Sequence, residues 1–210
     1  MFGFECLYLD EDLIVCNKPA GLLTVPGRGD DKKDCLSARV QAQHDDALVV
    51  HRLDMATSGL VLFARGLEAQ RALNHQFEQR QIDKRYTAVV AGHLQQDQGE
   101  ICLPLIADWP QRPRQKVDHE HGRFALTHFS VLHRDEGSQS TRVALVPVTG
   151  RSHQLRVHLL ALGHPILGDT LYAPEEVVCL SARLLLHATA LALKHPGSGL
   201  PLRFDSAASF

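Results

Sequence analysis

A chain of 210 residues with 44% apolar and 22% charged side chains has the composition of an ordinary globular protein and is long enough to bury a substantial core. Its formal charge of −2 excludes binding of nucleic acid through general basicity, so any contact with RNA requires a local cluster of cations. No apolar run approaches the roughly 20 residues that a membrane-spanning helix needs. The five cysteines form no CxxC pair, which argues against a zinc knuckle or a disulfide scaffold and favours the reducing cytoplasm.

The beginning of the chain predicts short strands that are separated by loops. Apolar runs indicate strands at residues 7–9 and 13–15, on either side of an acidic turn, and a further extended piece at 22–25. Residues 17–21 contain a proline and a glycine two positions apart, which end the second strand in a loop. Lys18 in this loop either faces a phosphate or is a solvated turn residue, and both interpretations stay open at this point.

Residues 51–59, HRLDMATSG, place polar side chains between two apolar runs that are typical of buried strands, 47–50 and 60–64. Polar groups in such a position must satisfy one another or meet something at the surface. Asp54 is the one carboxylate of this stretch. Its setting is compatible with a turn cap, a structural ion pair, a nucleophile or a general base.

The remaining elements follow from periodicity. A four-residue repeat predicts an amphipathic helix at 67–81 and a second helix that begins after Ser152 and ends at Gly163. Alternation and apolar runs predict strands at 84–94, 100–105, 125–133, 141–148, 184–193 and 200–204. Strands outnumber helices and no linker or repeat interrupts the chain. We therefore expect a single α+β domain over 1–210, built on a mixed, largely antiparallel sheet with flanking helices.

Residues 108–123 show neither the repeat of a helix nor the alternation of a strand. They hold two prolines, the only tryptophan and the cations Arg112, Arg114, Lys116 and Arg123. Such a stretch is either a disordered or idle insertion or a functional loop. Basic residues interleaved with an aromatic suit phosphate contact combined with base stacking, so this is the local positive patch that the overall charge does not reveal.

The chemistry that these residues allow is narrow. The sequence has no glycine-rich phosphate loop, no serine nucleophile elbow and no second motif with a carboxylate, as a paired-acid hydrolase would need. The thirteen histidines are scattered, and His153 and His158, five residues apart, do not share a helix face. The residues alone thus predict a site centred on Asp54 that uses no metal and no other cofactor.

Five stretches resemble, in order, the motifs of the RluA family of RNA pseudouridine synthases. HRLD followed by TSG closely resembles the family signature. The other stretches are KPAG at 18–21, KRY at 84–86, GRSHQLRVH at 150–158 with GHPILGD at 163–169, and LHA at 186–188 with HP at 195–196. Within the family, DWPQRPRQKV resembles the loop of a small dual-specificity subgroup. The resemblance implies the catalytic-domain fold of pseudouridine synthases, without the S4 domain of larger relatives.

The resemblance also implies an activity, the isomerisation of uridine to pseudouridine in RNA without metal or cofactor. In this interpretation Asp54 is the essential carboxylate, Arg156 pairs with it, and Tyr86 stacks on the uracil. Leu186 closes the other side of the pocket, and Arg52 fills the gap that the flipped base leaves in the RNA.

The resemblance implies that the protein binds RNA molecules and that it does not bind a membrane. Expected substrates are a hairpin of 23S rRNA and the first anticodon-loop nucleotide of some tRNAs, bound by a cytoplasmic monomer. Four cations are expected to contact RNA phosphates: Lys18, Arg112, Arg114 and Lys116.

Two other classes of function stay open. One is a catalytically inactive RNA-binding or RNA-chaperone module of the same fold, from which loss of Asp54, Tyr86 or Arg156 is expected, although all three are present. The other is a hydrolase of nucleosides or sugars that uses Asp54 and releases free uracil.

Overall fold

The computed structural model describes residues 4–29 and 32–210, which form two compact units. The first unit takes in the described residues of Met1–Lys84 and Ala188–Ser209, and the second takes in Arg85–His187 and Phe210. In chain order the elements are β1 (Glu5–Leu9), β2 (Leu13–Lys18), α1 (Leu36–Gln41), β3 (Ala47–Val49), β4 (Ser58–Arg65), α2 (Gly66–Glu78), β5 (Asp83–Ala91), β6 (Gln98–Cys102), β7 (Leu105–Ala107), β8 (Gln115–Val117), β9 (Leu126–Asp135), β10 (Ser140–Pro147), α3 (Gln154–Ala161), α4 (Glu175–Val178), β11 (Leu186–Lys194) and β12 (Pro201–Asp205).

The first unit is a sheet covered by helix α2. Strand β2 pairs antiparallel with both β1 and β4, β3 pairs with β4, and β12 pairs with β11. Helix α2 buries Ala69 and Leu73, four residues apart, and these side chains pack on alternate residues of β2 and β4. This core also includes Leu191 and Leu193 of β11, which belong to the second chain segment of the unit.

The second unit is an antiparallel sheet with the strand order β5-β10-β9-β6 and a separate two-stranded hairpin, β7–β8. A small core of Leu105, Ala125, Val157 and Tyr172 joins the hairpin to helix α3. A further cluster forms around Val89, Leu167 and Val177. Within the described residues, no helix is long and apolar enough to cross a membrane.

The α+β class and the largely antiparallel strand pairing are confirmed, together with the predicted strands at 7–9, 13–15, 84–94, 125–133, 141–148, 184–193 and 200–204. The extended piece at 22–25 is not a strand, because only Leu23 bridges to another residue, Cys35. A short helix, α4, lies in a stretch for which no helix is predicted, and its four residues are too few to show a period. One domain over 1–210 stays a prediction.

Helix α3 begins one residue later than predicted. The N-cap is His153, with a left-handed φ of 54°, and Ser152 does not cap the helix. Gln154 satisfies the backbone at this helix start in place of a capping serine. Its Oε1 accepts hydrogen bonds from the Arg151 amide at 3.0 Å and the Thr149 hydroxyl at 2.8 Å. The side chain of the first helical residue thus ties the start of α3 to the preceding loop.

Candidate active site

Asp54 lies half-buried in the connection between β3 and β4, and the backbone on both sides of it is clamped. On the N-terminal side, the Thr24 hydroxyl donates to the Leu53 carbonyl at 2.8 Å and accepts from the Leu53 amide at 3.1 Å. On the C-terminal side, the Thr57 amide donates to the Asp54 carbonyl at 3.1 Å and closes a turn. These bonds fix the backbone from which the carboxylate projects.

Lys18 belongs to this clamp and not to a surface. Its side chain is 0% exposed, and its Nζ donates to the carbonyls of Pro19, Leu22 and Met55 at 2.9, 2.7 and 3.1 Å. The Met55 carbonyl also accepts from the Gly21 amide at 2.8 Å. An ammonium has three hydrogens, so this arrangement contradicts both the predicted phosphate contact of Lys18 and the solvated alternative. Lys18 instead anchors the residue that follows Asp54.

His51, at the start of the signature, is a structural residue. Its Nε2 accepts a hydrogen bond from the Leu62 amide at 2.8 Å, and its ring packs against Phe77 with the centroids 4.8 Å apart. Burial away from water, helped by the charge of Lys84, lowers the pKa of His51 to about 3. The imidazole is therefore neutral at physiological pH, which the acceptor role of Nε2 requires.

A close approach between strands explains the glycine that ends the signature. Gly59 has a φ of 111°, and a Cβ at this position would collide with the backbone of Ala188 in β11. It is also the cross-strand partner of Lys18. Only glycine fits, so the end of the Asp54 loop is fixed by backbone packing.

Two side chains close to Asp54 in the chain face solvent. Arg52 is exposed, and Met55 is 51% exposed. An exposed arginine and an exposed thioether on a clamped loop are suited to contact a large ligand, because neither is held by a neighbouring core.

Arg156, which is predicted to be catalytic, belongs to the second unit and lies buried on α3. Its guanidinium forms a two-pronged pair with Asp169, in which Nε donates to Oδ2 at 2.8 Å and Nη2 donates to Oδ1. The same carboxylate accepts from the amides of Leu171 and Tyr172 at 3.1 and 3.3 Å. Asp169 thus fixes the orientation of Arg156 and closes its own turn.

Tyr86 and Leu186 occupy strands. Tyr86 lies on β5, half-buried, opposite Leu145 of β10, and Leu186 is the first residue of β11 and is 3% exposed. Tyr86, Arg156 and Leu186 belong to the second unit, whereas Asp54 and Arg52 belong to the first. The pairing of Asp54 with Arg156 and the stacking role of Tyr86 stay predictions.

The sequence predicts no strand within the basic stretch 108–123, but the structure has one there. Strand β8 pairs with β7 in the register Leu105 to Val117, and a 3-10 turn at Trp109–Gln111 fills the connection. We refer to residues 105–117 as the β7–β8 hairpin. Strand β8 has only three residues, which are too few to show the alternation from which a strand is predicted. The Asp108 amide also donates to the Arg114 carbonyl at 2.9 Å, so the connection is closed by backbone bonds.

The cations of the hairpin differ in their surroundings. The exposed Arg112 lies over the ring of Trp109, which is 66% exposed. Arg114 is half-buried and donates to the Gln111 side chain at 2.9 Å, and Lys116 is exposed with its Nζ 3.6 Å from Asp118. The three residues that sequence treated as equivalent therefore have different capacities to bind a phosphate.

Three residues of this geometry escaped sequence reasoning. Thr24 gave no signal, because a threonine in a loop is common. Asp169 lay in the quoted GHPILGD stretch, but nothing in the sequence paired it with an arginine thirteen positions earlier. Tyr172 belongs to none of the motifs or elements predicted from the sequence. Among residues 4–29 and 32–210, no group of three or more His, Cys, Asp or Glu side chains is placed to hold a metal ion.

The first unit holds Asp54 on a clamped loop, and the second unit holds Arg156 buried on α3 and Tyr86 on β5. Residues 12–161 match the family model described as RNA pseudouridylate synthase. The chain belongs to this family of RNA-modifying enzymes.

Particular relatives cover nearly the whole chain. It is 53% identical over 204 residues to the dual-specificity RNA pseudouridine synthase RluA of Yersinia pestis. The aligned region spans 97% of this chain and 98% of that protein. It is 49% identical over 204 residues to the RluA protein of Escherichia coli strain K12, spanning 97% of this chain and 93% of that protein.

Solved structures give the same answer for the fold. Human RNA pseudouridylate synthase domain containing 1 aligns with a TM-score of 0.81 and 26% identity over 99% of this chain and 84% of its own. Human RNA pseudouridylate synthase domain containing 4 aligns with a TM-score of 0.76 and 25% identity over 97% of this chain and 88% of its own. The predicted pseudouridine synthase fold is therefore confirmed.

Proposed function

We propose that this protein isomerises specific uridines of structured RNA to pseudouridine, with Asp54 as the essential carboxylate. The observation that carries the proposal is the clamped Asp54 loop in a chain that is about half identical, over nearly its full length, to dual-specificity RNA pseudouridine synthases. The dual specificity of these relatives supports two RNA classes as substrates. We propose a 23S rRNA hairpin and the first anticodon-loop nucleotide of some tRNAs.

The reaction breaks the bond between C1′ and N1 and forms a bond between C1′ and C5. The proton on C5 is lost to water and N1 gains a proton, so the change is redox-neutral and requires no external energy. Asp54 initiates the exchange, and Arg156 holds that carboxylate ionised, because a nearby cation stabilises the charged form. Tyr86 stacks on the uracil with its hydroxyl close to C5, and Leu186 packs on the other side of the base.

Chemistry on a stacked base requires the base to leave the helix, at a cost of a few kcal/mol. The exposed Arg52 is suited to fill the gap, because it follows His51 on the clamped loop and projects into solvent. Contacts from Arg112 and Lys116 to phosphates offset part of the cost. The exposed ring of Trp109 adds a surface on which an unpaired base can stack.

The test uses tRNA and 23S rRNA transcripts tritiated at uracil C5. Wild-type protein is expected to release tritium to water from both, and Asp54→Asn is expected to release none above background. Asp45→Asn removes an exposed carboxylate of the same unit and serves as the matched control, with release at the wild-type rate.

Three results would contradict the proposal in different ways. Binding without release from any transcript indicates the inactive RNA-binding module, and free uracil among the products indicates a hydrolase. Release that persists in Asp54→Asn removes the role of the carboxylate.

We also propose that the protein acts as a monomer in the cytoplasm. All five cysteines are free thiols, which suits a reducing compartment. Sedimentation at micromolar concentration tests the oligomeric state, and a dimer mass would overturn this part.

A further inference from the structure

Tyr172 lies at a junction between the β7–β8 hairpin and the helix that carries Arg156. It belongs to the turn after Asp169 and is 6% exposed, in a core shared by β7 and α3. Neither the resemblance nor the sequence pattern gives it a role. Its contacts lie on both its hydroxyl and its ring.

The hydroxyl of Tyr172 holds the hairpin. The amide of Gln115, the first residue of β8, donates to the phenolic oxygen at 2.8 Å. This oxygen also lies 2.7 Å from Nδ1 of His153, the N-cap of α3. Since Gln115 supplies one hydrogen to the oxygen, the hydroxyl hydrogen of Tyr172 can be donated to Nδ1. One hydroxyl thereby links a hairpin strand to the start of α3.

The ring of Tyr172 contacts two guanidinium groups, one from each side of this junction. The central carbon of Arg156 lies 5.0 Å from the ring centroid and that of Arg114 lies 5.4 Å away, both within the range of a cation–π contact. Arg156 is therefore held from two directions, by the carboxylate of Asp169 and by this ring. Both belong to the same turn.

We infer that Tyr172 is a positioning residue that couples RNA engagement by the β7–β8 hairpin to the orientation of Arg156. The inference rests on the proposed function, in which the hairpin contacts RNA and Arg156 serves the reaction. Binding of RNA to Arg112 and Lys116 orders the hairpin. The Gln115 to Tyr172 hydrogen bond then transmits this order to the ring that packs on Arg156.

The hydroxyl and the ring make separable predictions. Tyr172→Phe removes the hydroxyl and keeps the ring, so the hairpin loosens while Arg156 keeps its contact. We expect a Kd for RNA about fivefold higher, as for loss of one ordinary hydrogen bond, and a release rate at saturating RNA about twofold lower, because the ring stays on Arg156 but the hairpin no longer acts on it through the hydroxyl. Tyr172→Met keeps a similar apolar volume but removes the ring face, and we expect its release rate at saturation to fall about tenfold.

Trp109 is the only tryptophan of the chain and lies within the hairpin, so it reports on the hairpin without RNA. In Tyr172→Phe we expect acrylamide to quench Trp109 fluorescence about twice as efficiently as in the wild type, because the hairpin opens more often. Amide exchange at Gln115 is expected to accelerate as well, since its acceptor is gone. Tyr8→Phe is the matched control, because Tyr8 loses a hydroxyl bonded to Asp10 in the other unit.

The outcomes separate the two hypotheses. Absence of tritium release by the wild type contradicts the proposed function, whereas quenching and amide exchange need no RNA. Wild-type quenching, exchange and Kd in Tyr172→Phe would overturn the link to the hairpin. A wild-type release rate at saturation in Tyr172→Met would overturn the link to Arg156, and Tyr172→Leu serves for that arm if circular dichroism shows that the methionine variant is unfolded.

Discussion

Lys18 carries its charge into a part of the first unit from which water is excluded. Its ammonium donates three hydrogen bonds to backbone carbonyls, which replace hydration that the charge loses on burial. A buried ammonium is tolerated when every hydrogen has an acceptor, because each bond to a charged donor is stronger than a neutral one. The arrangement explains why a lysine adjacent to the candidate site is unsuited to bind substrate.

Lys18→Met tests this structural role. The variant keeps the length of the side chain but leaves the carbonyls of Pro19, Leu22 and Met55 without their shared donor. We expect the free energy of unfolding in urea to fall by about 2–4 kcal/mol. Lys32→Met removes an exposed lysine of the same unit and is expected to change it by less than about 0.5 kcal/mol. Equal effects of the two variants would show that the Lys18 clamp contributes nothing.

The pair of Arg156 and Asp169 has a counterpart at the surface, which permits a matched comparison. Arg203 and Asp205 form the same two-pronged geometry, at 2.8 and 2.7 Å, but both side chains are more than half exposed. Asp169→Asn is expected to cost about 3–5 kcal/mol of unfolding free energy, because it leaves a buried guanidinium without its charged partner. Asp205→Asn is expected to cost at most about 1 kcal/mol, because water screens the pair. Denaturation of both variants at one pH measures the difference, and similar costs would contradict the argument from burial.

At the scale of elements, the β7–β8 hairpin is the part of the molecule best suited to touch RNA phosphates. Arg112 and Lys116 are exposed, whereas Arg114 is half-buried and packs over Tyr172. We expect Arg112→Ala and Lys116→Ala each to weaken RNA binding and to lower the slope of log K against log salt by about one. Arg114→Ala is expected to act mainly on stability, through its contact with Tyr172.

A salt titration of RNA binding by filter retention measures these slopes. Arg203→Ala, an exposed arginine of the first unit, is the control and is expected to leave the slope unchanged. An unchanged slope in both hairpin variants would show that the hairpin makes no phosphate contact.

Elements with a long period were readable from sequence, and short ones were not. Helix α2 repeats an apolar residue every four positions, and strands β9 and β10, of ten and eight residues, alternate over much of their length, so local pattern alone predicts them. Strand β8 has three residues and helix α4 has four, which is less than two periods of either structure. Their existence depends on partners elsewhere, such as β7 for β8, which local sequence does not encode.

At the scale of the whole molecule, the first unit is assembled from two segments that are far apart in the chain. Asp10 accepts a hydrogen bond from His195 at 2.8 Å, and the Gln76 amide donates to the Lys194 carbonyl at 2.8 Å. Such contacts cannot be read from a single sequence, because they depend on which strands become neighbours. Asp54 itself was identified through the motif, whereas the Thr24 and Lys18 clamps around it required the fold.

The stability of the whole chain is expected to depend on pH through His51. Burial lowers its pKa to about 3, while the unfolded chain has the ordinary value of about 6.5. Below pH 6.5 the unfolded state therefore takes up a proton that the folded state does not accept. This contribution to stability is complete above about pH 7.5 and is lost as the pH falls toward 3, at a rate that approaches about 1.4 kcal/mol per pH unit below about pH 5.5.

His51→Gln separates this contribution from every other titrating group. The Gln carbonyl can accept from the Leu62 amide as Nε2 does, but it takes up no proton in this range. Urea unfolding at pH 7, 6 and 5 is expected to show a wild-type stability that falls more steeply than that of His51→Gln, by about 0.7 kcal/mol between pH 7 and 6 and about 1.2 kcal/mol between pH 6 and 5. His119→Gln, at an exposed position, should follow the wild-type curve. If His51→Gln instead runs parallel to the wild type, His51 is charged in the folded protein and Nε2 does not act as the acceptor that holds the start of the Asp54 loop to β4.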